Sequence, residues 1–178
     1  MKIVLICVAL FALAAGLILA LAAMKPDRIS VQRSVVIAAP PAAVFALIDD
    51  LHNWPRWAPQ DREDATMTRA LSGAPAGVGA VSDWTSRGNA GAGRMEIVKS
   101  VPDSEVVVQV AFRKPFVAHN RNDFQLAPEG GGRRLTWSIQ GTNAYMMKVM
   151  SVFVSPDRLI GPHFEQGLAN LKAVAETR

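Results

Sequence analysis

The sequence predicts an α+β domain: a curved seven-stranded antiparallel sheet wrapped on a long C-terminal helix, behind an apolar helix long enough to cross a membrane. Three observations lead there. Residues 3–24 contain no charge and no hydrogen-bonding side chain beyond Cys7. Residues 28–141 show repeated two-residue alternation of apolar and polar side chains, interrupted by glycine- and proline-bearing turns. Phe164, Leu168, Leu171 and Ala175 then recur at helical spacing as a single stripe.

The first segment accounts for much of the chain's apolar character. As a helix rising about 1.5 Å per residue, it spans roughly 33 Å, against a hydrocarbon core of ~30 Å. Lys2 precedes the run; Lys25 and Arg28 follow it, with Pro26 at the exit. The competing reading is a cleaved signal with Ala20 and Ala22 in an A-x-A-like site, but a signal's apolar region normally runs only about 7–15 residues. The expected division is therefore an anchor over 1–24 and a folded domain over 25–178. Positive charges flank both ends of the run (the Met1 amine and Lys2 against Lys25, Arg28 and Arg33), so they assign no orientation.

Composition narrows the rest. Half of the 178 residues are hydrophobic and 19% are charged, which excludes a disordered or fibrous chain. A single cysteine excludes an intramolecular disulfide framework and a multi-thiolate zinc site. The net charge of +4 is not gathered into a run of Lys or Arg, so no nucleic-acid partner is expected.

Residues 28–37 form a β-rich first strand that stops at Ala38-Ala39-Pro40-Pro41. Pro41 suits the first turn of a helix, where a missing N–H is no loss, and 42–48 continue it. Asp50 is the expected N-cap of a second short helix carrying Leu51 and Trp54. Further strands are predicted at 65–71, 78–86, 94–101, 105–113, 118–126 and 134–141, separated by turn residues at 73–75, 88–93, 102–103, 114–115 and 129–132. A Met-rich helix over 145–154 and a long helix after Pro162 complete the chain, with Lys172 and Arg178 toward the end favoured by the helix dipole.

Alternation assigns the faces. Val106, Val108, Val110 and Phe112 share one side of their strand; Leu135, Trp137 and Ile139 share one side of theirs. Between them, Asn120 and Asn122 fall on the same inner face as Phe124 and Leu126, while His119, Arg121, Asp123 and Gln125 face out. Two amides on an apolar surface need partners, in the backbone or in a ligand. Arg94 and Glu96 are expected outward opposite Met95 and Ile97; a one-residue slip would turn Arg94 inward as an anion anchor.

The chain resembles the START/Bet v 1-like (SRPBCC) superfamily, and within it the polyketide cyclase/dehydrase-like group. The resemblance is carried by the strand-to-helix run Val35-Val36-Ile37-Ala38-Ala39-Pro40-Pro41-Ala42-Ala43-Val44-Phe45 and by Asp50-Leu51-His52-Asn53-Trp54-Pro55-Arg56-Trp57. Gly77-Val78-Gly79-Ala80, Gly93-Arg94-Met95-Glu96-Ile97, the Lys114-Pro115-Phe116 turn and Gly161-Pro162-His163-Phe164-Glu165-Gln166-Gly167-Leu168 extend it over about 28–176. It implies a helix-grip fold around an apolar cavity that binds lipids, polyketides or other hydrophobic molecules. These motifs are packing and turn chemistry, so they transfer fold and cavity, not an activity.

No catalytic constellation stands out. His52, His119 and His163 show no metal-ligand spacing and are expected in solvated or capping roles. No Ser occupies a G-x-S-x-G elbow, Asp49 and Asp50 diverge at a helix boundary, and the Gly73–Gly79 and Gly130–Gly132 stretches are hairpin turns. No metal or cofactor is expected. The expected cavity lining is Trp84, Phe112, Asn120, Asn122, Phe124, Trp137, Met150, Phe164 and Leu168. Trp54 and Trp57 are either a gate at its mouth or a plug between helix and sheet, and Met146, Met147 and Met150 either an adaptable lid or core filling. The expected function is binding of a hydrophobic small molecule or lipid by a membrane-tethered domain. The alternatives are a cyclase/dehydratase using Asn120, Asn122 or Tyr145 to polarise a carbonyl, and an interaction module whose cavity is filled by its own side chains.

Overall fold

Alternating strands joined by tight turns favour pairing with their sequence neighbours. In the computed structural model, which describes residues 2–88, 90–115, 117–142 and 145–177, every strand but the first pairs this way, the first closing on the last. Seven antiparallel strands run in the order β1-β7-β6-β5-β4-β3-β2. They are β1 (Arg28–Ile37), β2 (Thr68–Gly73), β3 (Ala80–Thr85), β4 (Ala92–Val101), β5 (Glu105–Lys114), β6 (Ala118–Glu129) and β7 (Gly132–Thr142). Met1, Phe116 of the proline turn motif and Arg178 of the final helix lie outside the described residues.

The helices are α1 (Lys2–Ala23), α2 (Pro41–Asp49), α3 (Pro59–Glu63), α4 (Tyr145–Met150) and α5 (Pro156–Glu176), with a 3-10 helix at Leu51–Arg56. Pro41 opens α2, and Asp50 caps the 3-10 helix by accepting the His52 N–H at 2.9 Å. The helix expected over 145–154 ends at Met150 and several strand ends move by a few residues, while three differences have a clear local cause. β2 begins at Thr68, not residue 65, because Asp64 accepts from both the N–H and the hydroxyl of Thr66 and holds a turn there. The sequence reading lacks α3, which begins with a proline and carries Asp61 in its first turn. The long helix starts six residues before Pro162, since Ser155 caps it and Pro156 opens it; Pro162 sits inside, at the loss of one backbone bond.

Trp54 and Trp57 fasten α2 to this core. Their indole N–H groups donate to Ile48 O (2.9 Å) and Leu47 O (2.8 Å), carbonyls in the last turn of α2 that have no helical partner. Trp57 is fully buried, 5.8 Å edge-on from Trp137, and Phe124 stacks on Trp137 at 5.1 Å. Phe164 of α5 stacks on the other side of Trp137 at 3.9 Å. Gly167 allows α5 this close: a Cβ there would sit 2.8 Å from the Trp137 ring. Leu168 and Leu171 complete the buried stripe on the concave side of the sheet.

Candidate functional site

Between α5, α4 and the inner sheet face, the side chains leave a cavity of about 410 Å³. Strand alternation supplies its walls. Trp84, Phe112 and Trp137 project from β3, β5 and β7, and Phe164 and Met150 come from α5 and α4. Trp84 packs over Gly93 on the neighbouring strand, where any Cβ would lie 2.3 Å from its ring, and donates its N–H to Ala90 O at 3.0 Å. A second hollow, about 540 Å³, lies on the polar outer face of the sheet among Arg94, Gln109, His119 and Arg121 and lacks such walls.

Seven of the expected lining residues border the cavity: Trp84, Phe112, Asn120, Asn122, Trp137, Met150 and Phe164. Two do not. Phe124 shares their face but is fully buried behind Trp54, Trp57 and Trp137, and Leu168, one turn beyond Phe164, packs into the core. Trp57 is likewise buried core, not a gate, whereas Trp54 reaches the cavity wall. Tyr145 lies outside: it is half exposed and its hydroxyl donates to Leu19 O of α1 at 3.2 Å. The cavity is not filled by its own side chains.

The two asparagines differ in what they have left to offer. Asn122 Oδ1 accepts the Trp137 indole N–H at 2.9 Å. Asn120 Oδ1 is buried against Gly141 and is the one buried side-chain polar atom among the described residues without a hydrogen-bond partner. An unpaired buried acceptor carries a desolvation penalty of about 1–3 kcal/mol, which a donor on a bound molecule would relieve.

Four further polar side chains line the cavity: Gln60, Arg69, Thr142 and His163. Arg69 of β2 enters its wall, held by Asp61 of α3 through two bonds of 2.5 and 2.6 Å and by Ser82 Oγ at 2.9 Å. It is thus a neutralised wall element. Arg94 stays exposed, with Asp83 and Glu96 beside it, while Met95 and Ile97 are buried, so the outward register holds. His163 lines the cavity with Nε2 3.0 Å from Gln60 Oε1, correcting its expected solvated role. A helix begun at Pro156 would have revealed it, since Ile160, His163 and Phe164 then fall on one face. Asp49, as expected, turns away from Asp50 and accepts from Ser100 at 2.7 Å. No group of three or more His, Cys, Asp or Glu with metal-binding geometry occurs among the described residues.

The sequence profile of a family described as "polyketide cyclase / dehydrase and lipid transport" matches residues 28–176. The chain belongs to this family. Among solved structures, a Chromobacterium violaceum protein aligns with TM-score 0.60 at 17% identity, over 86% of this chain and 100% of its own. The di-domain ARO/CYC BexL from the BE-7585A biosynthetic pathway aligns at TM-score 0.64 and 17% identity, over 89% of this chain and 53% of that one. Ara h 8.0201 aligns at 0.56 and 14%, over 83% and 95%. At such identities the likeness is one of fold, the Bet v 1/START-like helix grip. None of the curated proteins matches the chain in sequence.

Within the cavity of this family member, His163 is the lining group whose ionisation the surroundings displace. Burial lowers its pKa from the ordinary 6.5, with nearby Glu63 opposing the shift. The unfolded chain therefore takes up this proton first as pH falls. The stability tied to neutral His163 is present above about pH 6.5 and declines as the pH drops toward the folded-state value. Melting temperature should fall as the pH is lowered from about 7 through 6.5 and below, and His163→Gln should flatten that part of the profile. An unchanged slope in the variant would mean that another group sets it.

Proposed function

We propose that this domain reversibly binds one apolar small molecule or lipid chain, carrying a hydrogen-bond donor, while α1 tethers it to a membrane. The observation that carries the reading is the aromatic- and methionine-walled cavity with a single unpartnered acceptor, Asn120 Oδ1. Its volume lies toward the small end of ligand pockets, roughly 300–1,000 Å³, which favours one compact molecule or one acyl chain. The tether reading is supported by α1, 22 residues long with a mean hydropathy of 3.0. A local role, extraction or presentation of a membrane-dissolved ligand, fits a tethered domain better than transport between membranes.

A cyclase/dehydratase acting in the same cavity is the second reading, favoured by His163 and the unpartnered Asn120 oxygen lining one cavity. Asn120→Leu separates the two. Full-length protein titrated with brominated long-chain alcohol should lose tryptophan emission, because all four tryptophans lie in the domain and three of them line the cavity. For a binder, Asn120→Leu should weaken the alcohol by up to about tenfold, through one lost hydrogen bond, and leave a brominated alkane unaffected or tighter. An enzyme should instead lose turnover with little change in alkane affinity. Absence of quenching by either probe would refute binding.

A further inference from the structure

The segment from Tyr145 to Val154 presents an unusual surface. Tyr145, Met146, Met150 and Phe153 are 52, 51, 44 and 69% exposed, and Val154 follows them. The one charged residue in the segment, Lys148, is buried and paired with Asp27, just beyond the end of α1. A ten-residue stretch whose exposed side chains are almost wholly apolar marks an interaction surface.

Its position relative to α1 identifies the partner. α4 packs against α1, and the α1 residues that lose exposure, Ala15, Ile18 and Ala22, lie three and four apart on one helix face. The Tyr145 hydroxyl donates to Leu19 O, and Leu19 lies about 6–8 Å along the helix from Met24, where the apolar run ends. Interfacial helices bury their apolar faces about 5–10 Å below the headgroup boundary, the same depth. If α1 crosses the bilayer, α4 is drawn in beside it. Met146 and Met150 both line the cavity and are about half exposed, so the cavity mouth lies on this same side.

We propose that α4 and the turn after it lie in the interfacial layer of the leaflet from which α1 emerges, with the cavity mouth at Met146 and Met150 open to the acyl chains of that leaflet. The proposal rests on the reading of α1 as membrane-spanning and adds the route by which ligand enters. Tyr145 suits such a position, its ring apolar and its hydroxyl hydrogen-bonded.

Spin labels on full-length protein in vesicles of phosphatidylcholine and phosphatidylglycerol test both layers of the argument. A label on native Cys7, exposed on α1, reports on the tether. In a Cys7→Ser background, labels at Met146→Cys and Phe153→Cys report on the proposed surface. Gly131→Cys, in the β6–β7 turn at the far end of the strands, where a Cβ meets nothing within 4 Å, serves as the aqueous reference. Collisions with oxygen, which concentrates in acyl chains, should exceed those with a water-soluble nickel chelate at positions 7, 146 and 153, with the order reversed at 131. Nickel-dominated collisions at 146 or 153 with Cys7 still in the oxygen-rich phase overturn the proposal and leave the tether standing. Labels there shielded from both reagents indicate a protein partner and overturn it equally. Nickel-dominated collisions at Cys7 remove the tether reading and the proposal together.

Discussion

Leu168→Asp should abolish cooperative folding of the domain. Leu168 is 3% exposed, between Phe164 and Leu171 on the buried face of α5. Shortening such a leucine to alanine typically costs about 2–5 kcal/mol through lost contact and the residual cavity. A carboxylate adds the penalty of an uncompensated charge, because the nearest basic groups are engaged: Arg33 holds Asp157 and Glu165, and Lys172 donates to Val36 O at 2.7 Å. The combined loss is comparable with the whole stability of a domain, about 5–15 kcal/mol. Ala169→Asp, one residue along and exposed, should change stability by no more than about 0.5 kcal/mol. Thermal unfolding followed by tryptophan emission in mild detergent measures both. A sharp melt for Leu168→Asp near that of the parent would contradict the assigned helix face.

That face was legible because helical spacing alone marks it, and the same holds for the sheet. The alternation of Val106, Val108 and Val110, or of Leu135, Trp137 and Ile139, is a property of the strand itself and survives whatever the strand packs on. Depth along a face is different. Phe124 and Trp137 share the inner face, yet only Trp137 meets the cavity, since Trp54 and Trp57, bonded to the end of α2, cover Phe124. The polar half of the site was hidden for a related reason. Arg69 pairs across the sheet with inward-facing Trp84, but a charged side chain is read as solvated unless its partner is known. That partner, Asp61, stands on a five-residue helix too short to show a period. His163 was hidden by Pro162, a residue that suits a helix start but here lies inside a helix already capped at Ser155.

Asp61→Ala should produce the second-largest loss, about 3–5 kcal/mol, because it removes one partner of a buried ion pair and strands the other. The side chains of Arg69 and Asp61 are 10% and 5% exposed, so water can replace the lost carboxylate only poorly. Ser82 Oγ remains, but one neutral acceptor cannot stand in for two charge-assisted bonds. Arg69→Met in the Asp61→Leu background should restore much of the stability, as apolar replacement of a buried pair often does. The site adds a test that stability alone does not. With Asp61 gone, the guanidinium of Arg69 in the cavity wall has no other charge to pair with among the lining side chains and has donors to spare. A long-chain carboxylate should then supply the missing anion while its chain fills the aromatic walls. Fatty acid at about one hundred times its Kd should return about 2.7 kcal/mol to Asp61→Ala. The parent, whose Arg69 is already neutralised, should gain less from the same fatty acid than from the matching alcohol. Equal stabilisation of parent and variant by the carboxylate would place Arg69 out of reach of the ligand.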